Sequence, residues 1–353
     1  MPSPIYGGSS SAPTRVFNGR LTLESNIPVP SKDQLAKTNI YWTPFRGNQI
    51  SLYDGAAWNT RTFSELTLAL GTLSAGVNYD VFLYDNAGTV AFDTVVAWRS
   101  AGVAIINATN ATPIVIGSVG HALQNGDEVY ISGVQGNTAA NGTWIVANKA
   151  ADTFELTGSV GNGVYTATTG TFSARSTLLA KQDGVLVKTG ATTRLYVGTF
   201  RTVTTTTTES SEAFRFLWNY YNRVPGIVTK YDATSHSYGT ATYREWNNSA
   251  ANRIAFVIGV EEDSPPLFLQ YSMSSQAAAG RPAIAAALNT ITAVDSLQVA
   301  TNGSSSAGTL VISGSAPSVL RVSAGHNYIA VLQISIAGTN TYASFRVTLN
   351  LPF

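Results

Sequence analysis

The chain has 353 residues, enough for two or three domains, since one hydrophobic core usually serves roughly 100–200 residues. Charged residues make up only 12%, the formal net charge is +1, and the 21 basic residues are scattered singly, so we expect no binding to nucleic acid, which needs clustered Lys and Arg. Cysteine is absent, so disulfides, thiolate nucleophiles and Cys-ligated metals are excluded. Thr, Ser, Asn and Gly replace the missing charges. This composition suits extended β-sheets, because Thr favours strands and Lys and Glu do not.

The first 15 residues are rich in Ser, Pro and Gly. They predict an extended arm that lies on a neighbouring molecule, with Pro4, Ile5 and Tyr6 as its attachment residues. No basic stretch followed by an apolar one occurs there, so we expect no secretion signal. No apolar run approaches 18 residues, so we also expect no insertion into a membrane.

Residues 16–99, together with 176–225, predict an N-terminal β-module, the part of the chain expected to attach to a larger assembly. Alternating segments end at turns, most clearly where Gln49-Ile-Ser-Leu-Tyr meets Asp54-Gly55, which is a strong hairpin signal. Residues 184–188 and 194–198 flank Thr189-Gly190-Ala191 as a second predicted hairpin.

Residues 100–175 predict a small β-module inserted into the first one. Three compact strands, at 126–133, 142–147 and 153–157, are linked by Gly/Asn turns. Removing the whole segment would join two strands of the first module without interrupting either. Insertions in surface loops cost little free energy, which favours this interpretation.

Residues 204–208 are a run of threonines that predicts an exposed loop or linker. Residues 212–224 then form the best helix candidate of the chain, stopped by Pro225, although their aromatic density would also suit a strand.

Residues 226–353 predict a C-terminal sandwich or jelly-roll domain, because short strands recur at close spacing. Segment 328–336 is apolar on both faces at its start. It predicts either a central sandwich strand or a strand packed against a symmetry mate. The predicted fold class is therefore all-β, with several β-sandwich or jelly-roll-like modules and at most one or two short helices.

Residues able to perform catalysis are few and scattered. His121, His236 and His326 lie in different modules, each beside Gly or Ser, and are interpreted as turn or surface residues. No Gly-x-Ser-x-Gly elbow, P-loop or Rossmann fingerprint occurs. We therefore predict no catalytic residues, no cofactor and no enzymatic activity.

Two groups of acidic residues are candidate sites. Glu261, Glu262 and Asp263 are a weak calcium candidate, but they lack the alternating acidic pattern and precede two prolines, which favours an exposed loop. Asp80, Asp85 and Asp93 would supply the carboxylate pair of a glycosidase, or each would cap a turn.

Aromatic side chains are candidates for platforms on which a glycan stacks. Most alternate with polar residues at strand spacing and are interpreted as core. Trp58, which follows the Asp54-Gly55 turn, is the candidate for an exposed stacking platform, with packing in the core or turn as the alternative.

Four phrases in residues 16–99 and 176–225 resemble a group of tailed-bacteriophage structural proteins: Asn18-Gly-Arg-Leu-Thr-Leu-Glu-Ser-Asn, Ile50-Ser-Leu-Tyr-Asp-Gly, Gln182-Asp-Gly-Val-Leu-Val-Lys-Thr-Gly-Ala-Thr-Thr-Arg and Leu217-Trp-Asn-Tyr-Tyr-Asn-Arg-Val. Segment 113–172, with His121-Ala-Leu-Gln-Asn-Gly-Asp-Glu-Val-Tyr-Ile-Ser-Gly and Asn141-Gly-Thr-Trp, resembles a small β-module of phage tail and baseplate proteins. The C-terminal part is similar to the jelly-roll heads that form trimers on phage fibres and capsid surfaces.

The resemblance implies a virion protein of fibre or decoration type, exposed on the particle surface after synthesis in the host cytoplasm. The first interpretation is a tail-associated protein whose β-modules bind a glycan or protein of the host surface. The second is a capsid decoration or head-fibre protein that stabilises the shell. The expected partners are other phage structural proteins and the chain itself, as a homotrimer. A glycan-degrading tailspike is a remote alternative, because no long β-helical repeat is visible.

Overall fold

The computed structural model describes residues 15–260, 266–275, 281–292, 298–301, 310–319 and 322–353. In this part the chain is all-β, as predicted, and its only helices are 3-10 turns at Thr138–Ala140, Trp246–Asn248 and Ala250–Asn252. The attachment residues Pro4, Ile5 and Tyr6 lie outside the described residues, as do the calcium candidates Glu261, Glu262 and Asp263. The described part of the chain has no helix that is long and apolar enough to cross a membrane.

Nine strands form the first part of the chain. In chain order they are β1 (Gly19–Thr22), β2 (Gln34–Lys37), β3 (Asn39–Pro44), β4 (Gln49–Tyr53), β5 (Trp58–Thr62), β6 (Leu66–Ala69), β7 (Asn78–Asn86), β8 (Thr89–Phe92) and β9 (Val96–Ala104). Strands β1, β3 and β6 make one antiparallel sheet, and β4 pairs with β5 across the predicted Asp54-Gly55 turn. Trp42 and Leu52 are fully buried between these sheets and β7.

Ten of the next twelve strands belong to one long sheet. In chain order the twelve are β10 (Asn107–Ala108), β11 (Val115–Gly117), β12 (Glu128–Ser132), β13 (Gly142–Ala147), β14 (Thr153–Leu156), β15 (Thr171–Arg175), β16 (Leu179–Gln182), β17 (Val185–Lys188), β18 (Ala191–Arg201), β19 (Thr208–Ser210), β20 (Phe214–Arg215) and β21 (Leu217–Asn219). The main path of the sheet is β10-β11-β14-β13-β12-β15-β9-β7-β18-β17-β16. The sheet is therefore continuous: the strands of residues 100–175 are followed in it by β9, β7 and β18, which belong to the chain before and after this segment. Strand β17 meets β18 across the predicted Thr189-Gly190 turn.

Residues 105–174 have a hydrophobic core of their own. Its buried members all come from this stretch and include Ile116, Ile131, Phe154 and Phe172. Strand β15 brings the chain back beside β9, in antiparallel register, so that the two ends of the stretch lie next to each other. The arrangement is the one an insertion requires; the division into domains itself stays a prediction.

The helix predicted for residues 212–224 is wrong, because these residues form β20, β21 and the turns around them. Leu217, Trp218 and Asn219 are all buried and pair with β18. Buried side chains on both faces require cover on both sides, which a strand between two layers receives and a surface helix does not.

The C-terminal part is a sandwich of two sheets. Its strands are β22 (Pro225–Asp232), β23 (His236–Tyr238), β24 (Arg244–Glu245), β25 (Ile254–Ile258), β26 (Pro266–Ser275), β27 (Arg281–Leu288), β28 (Gln298–Thr301), β29 (Leu310–Val319), β30 (Gly325–Ala337) and β31 (Asn340–Pro352). One sheet has the order β2-β19-β20-β25-β30-β27-β28 and the other β22-β31-β26-β29. Ile284 and Val331 of the first pack in one core with Val347 and Leu349 of the second. Strand β30 is central, as its apolar sequence predicted.

Candidate functional site

A buried ion pair joins the strand that ends residues 100–175 to the first part of the chain. Arg175, at the end of β15, donates from Nε to Oδ2 of Asp80 on β7 at 2.8 Å. The two side chains are only 2% and 1% exposed. Two charges removed from water are tolerated only with close pairing and further hydrogen bonds. The pair therefore fixes β15 against the sheet that continues through β7.

Further hydrogen bonds satisfy both charges. Asp80 Oδ1 accepts from Trp98 Nε1 at 2.9 Å and from Thr199 Oγ1 at 2.7 Å. Arg175 donates to the Tyr130 hydroxyl at 2.9 Å and to the carbonyl of Gly259, which follows β25. These groups come from β9, β18, β12 and the C-terminal sandwich. We call Arg175, Asp80 and these four partners the central polar cluster, because it connects all three parts of the chain.

The electrostatics of the central polar cluster point to a structural role. Burial alone would lower the pKa of Arg175, but the charge of Asp80 outweighs it and raises that pKa, so the guanidinium stays charged. Burial raises the pKa of Tyr130, so its phenol does not release a proton near neutral pH. The guanidinium also stacks 4.4 Å from the centre of the Trp98 ring.

The outer surface of residues 105–174 carries the candidate functional groups. The four most exposed large hydrophobic side chains of the described chain all lie here: Val164 (82%), Val119 (70%), Val160 (60%) and Ile106 (57%). Exposed apolar side chains indicate a partner-binding surface where several of them lie close together. Val160 and Val164 belong to one loop, residues 158–168, which we call the apolar loop.

Hydrogen bonds hold the apolar loop in place. The backbone N–H of Asn162 donates to Oδ1 of buried Asn137 at 3.0 Å, and Oδ1 of Asn162 accepts from Ala139 N at 3.0 Å. The Tyr165 hydroxyl donates to the carbonyl of Ile105 at 2.7 Å. The loop therefore presents its two valines from a fixed backbone, which lowers the entropy lost on binding.

Trp58, the glycan-stacking candidate, is half-buried and already has partners. Its Nε1 donates to Asp183 Oδ2 at 3.0 Å, and the Arg15 guanidinium lies 4.8 Å from its ring centre. Tyr53 packs beside it at 5.5 Å. One face of the indole is thus covered by a cation, and stacking by a sugar on the ring stays a prediction.

The three aspartates weighed as a glycosidase pair each have a cation. Asp80 pairs with Arg175 as above, Asp85 Oδ2 lies 2.7 Å from Arg61, and Asp93 Oδ2 lies 3.2 Å from Lys188 Nζ. Asp85 also caps a turn, since its Oδ1 accepts from the Gly88 N–H at 2.6 Å. For Asp80 the turn-capping interpretation is wrong, because the carboxylate is buried in the central polar cluster.

The histidines remain separate from one another. His121 is buried, so the surface alternative is wrong for it. The turn alternative fits, since Nδ1 accepts from the N–H of Leu123, two residues further on, at 3.0 Å. His236 Nε2 lies 2.6 Å from Gln333 Oε1. Across the described ranges, no group of three or more His, Asp or Glu side chains is placed to hold a metal ion.

His326, on β30, predicts a pH-dependent stability. Its pKa lies well below the ordinary value of 6.5, because burial and the nearby charges of Arg201 and Arg253 disfavour the imidazolium; Tyr328 also contacts it. The unfolded chain therefore binds a proton below pH 6.5 that the folded chain does not, and stability falls as the pH falls. We expect a slope of at most about 1.4 kcal/mol per pH unit from this group.

Urea unfolding of wild type and His326→Gln between pH 7.5 and 5 measures this slope. The variant is expected to lose less stability than wild type over the interval. Parallel pH profiles of the two proteins would contradict the assignment.

The comparisons with known proteins identify no family: no family model and no curated protein matches the chain. Among solved structures, dimeric latent PorU from Porphyromonas gingivalis is 10% identical, with a TM-score of 0.24 over 71% of this chain. The chain spans only 24% of the length of PorU. The VP2 subviral particle of infectious bursal disease virus is 11% identical, with a TM-score of 0.23 over 79% of this chain and 69% of that one. T=1 particles derived from the same virus match at 10% identity and a TM-score of 0.23, over 91% and 72% of the two chains. The structural similarity to a viral capsid protein and to PorU is thus weak.

Proposed function

We propose that the protein is a non-enzymatic bacteriophage virion surface protein, tail-associated or of fibre type. Its N-terminal half attaches to the particle, and its β-modules, residues 100–175 foremost, bind the host surface. The observation that carries this proposal is the placement of the four most exposed large hydrophobic side chains on the segment that the central polar cluster fixes to the rest of the protein. The sequence resemblance to phage tail and baseplate modules supports it independently.

A stiff scaffold suits this role. Binding by a surface loop is tighter when the loop does not have to be ordered first. Asn137 is fully buried and orders the apolar loop from beneath, since its Nδ2 donates to the carbonyl of Thr109 at 2.8 Å while its Oδ1 accepts from Asn162. The low charge of the chain favours recognition by shape and hydrogen bonds over long-range electrostatic attraction.

An adsorption assay tests the proposed function. Purified protein, added to host cells before the phage, is expected to block adsorption. The double variant Val160→Ser and Val164→Ser should reach the same block only at about tenfold higher concentration. This corresponds to a loss of roughly 1.4 kcal/mol in the free energy of binding. Ile227→Ser, which alters a side chain of 54% exposure on β22, is the matched control and should block like wild type.

Equal block by all three proteins would contradict the role of the apolar loop. No block by any of them, together with a copy number on the particle equal to that of the capsid subunits, would favour the decoration protein instead.

Assembly is part of the proposal. Closed three-fold symmetry would bury apolar sheet surface without the disulfides that a chain lacking cysteine is unable to form. We expect a mass of three chains by light scattering, that is three times 37.2 kDa. A monomeric mass at micromolar concentration would contradict the homotrimer.

A further inference from the structure

A cationic cavity of about 320 Å³ lies where the end of β18 meets β25 and β30. Arg201, Arg253 and His326 line it, and the rings of Phe214, Phe216 and Tyr328 form its walls. Among the described residues, no Asp or Glu side chain lines the cavity. Its volume is in the range of small-molecule sites, which run from about 300 to 1,000 Å³.

Arg201 is a cation without a matching anion among the residues that the structure describes. Its Nη1 donates to Asn78 Oδ1 at 3.2 Å, a neutral acceptor. In the described part of the chain no carboxylate forms an ion pair with it. Burial lowers the pKa of Arg201 to about 10, so the group is still charged at neutral pH. A partly desolvated cation of this kind is stabilised when an anion binds to it.

Arg253 provides an internal comparison. It faces the same cavity, but Glu245 neutralises it, with Nε to Oε1 at 2.5 Å and Nη2 to Oε2 at 3.0 Å. Its guanidinium lies 4.5 Å from the centre of the Tyr328 ring. The cavity therefore holds one compensated and one uncompensated guanidinium, which leaves a net positive charge.

His326 offers a second donor. Neither of its ring nitrogens forms a hydrogen bond within the residues that the structure describes, although Phe216 and Tyr328 flank the ring at 6.0 and 6.4 Å. Gly102 makes room for the ring, since a Cβ at this position would lie 2.9 Å from Nδ1. A neutral imidazole still carries one N–H group, which can donate a hydrogen bond to a bound anion without a change in its protonation state.

We propose that this cavity binds the oxyanion group, carboxylate or phosphate, of a small ligand. Arg201 pairs with the oxyanion, His326 donates a second hydrogen bond to it, and the aromatic walls contact the attached skeleton. The proposal does not depend on the virion role. Sugar acids and phosphate esters both carry such an oxyanion, and their relative affinities distinguish the two classes of ligand.

Val203 allows a test that leaves Arg201, Arg253 and His326 in place. Its side chain lines the cavity and is 43% exposed. Val203→Glu places a negative charge at the cavity, whereas Val203→Gln is a neutral control of nearly the same size. We expect wild type and Val203→Gln to bind with equal affinity. Val203→Glu should bind at least about tenfold more weakly, since its carboxylate repels an anion bound in the same cavity.

Calorimetric titration with glucuronate, glycerol phosphate, inorganic phosphate and neutral glucose, at constant ionic strength, measures the affinities. Tighter binding of glucuronate identifies a sugar acid, and tighter binding of glycerol phosphate a phosphate ester. Binding of an anion is expected to raise the pKa of His326. An NMR titration of the ring protons of the three histidines measures this change, and His326→Gln identifies which signal belongs to His326. Failure of all three anions to bind, equal binding of glucose, or equal affinity of Val203→Glu and Val203→Gln would overturn the proposal.

Discussion

Replacement of Arg175 by methionine is expected to lower the free energy of unfolding by about 3–5 kcal/mol, the usual cost of removing one partner of a buried ion pair. Methionine is close to arginine in length and fills most of its space. It would leave the Asp80 carboxylate, whose side chain is 1% exposed, with the hydrogen bonds of Trp98 and Thr199 but without a cation. Urea unfolding at pH 7 measures the loss.

Two comparisons make this prediction specific. Asp80→Asn should cost a similar amount, because it leaves the Arg175 charge buried, and the double variant should cost less than the sum of the two. Arg61→Met is the control at an ion pair with a partly exposed arginine, since Arg61 is 32% exposed and pairs with Asp85. Its expected cost is lower than that of Arg175→Met, because the Arg61 guanidinium is partly solvated, although the Asp85 side chain is only 8% exposed. Equal losses for Arg61→Met and Arg175→Met would show that burial of the pair is unimportant.

Deletion of residues 101–174 is expected to leave a folded protein that no longer blocks phage adsorption. Trp98 pairs with Arg175 in the antiparallel register of β9 and β15, so Arg99 and Ser100 would become the two central residues of a hairpin. Arg99→Asn and Ser100→Gly, made with the deletion, supply the sequence that two-residue hairpins prefer. Arg175 and Asp80 are both retained in this variant.

Circular dichroism, a cooperative urea transition and the adsorption assay together test the deletion. The variant loses the Tyr130 partner of Arg175 and the contact of Ser323 Oγ with the carbonyl of Ile131, so some loss of stability is expected. Aggregation of the variant would contradict the predicted insertion. A folded variant that still blocks adsorption would instead contradict the proposed binding role.

The pattern of the sequence predicted local structure well. The Asp54-Gly55 and Thr189-Gly190 turns are where the residue types required them, because only a few residues adopt tight-turn backbone angles at low cost. The apolar run of β30 predicted a central strand. Residues 212–224 were the exception. Aromatic and aliphatic side chains without a period of two or 3.6 do not distinguish a helix from a buried strand, and pairing with β18 decides the matter.

The candidate sites depended on tertiary structure far more. Asp80 and Arg175 are 95 residues apart, and nothing near either one indicates that they form a buried pair. Arg201, Arg253 and His326 are likewise unremarkable in sequence, since each is a single charge or imidazole among strand residues.

By itself, the sequence determined the fold class, the turns and the scarcity of charge, because these follow from backbone preferences and from alternation along each strand. Only the tertiary structure decided which distant polar groups meet, which charges are compensated and which apolar side chains stay in water. Those properties depend on how sheets from separate parts of the chain pack, and burial changes the free energy of a charge far more than the identity of its neighbours in sequence.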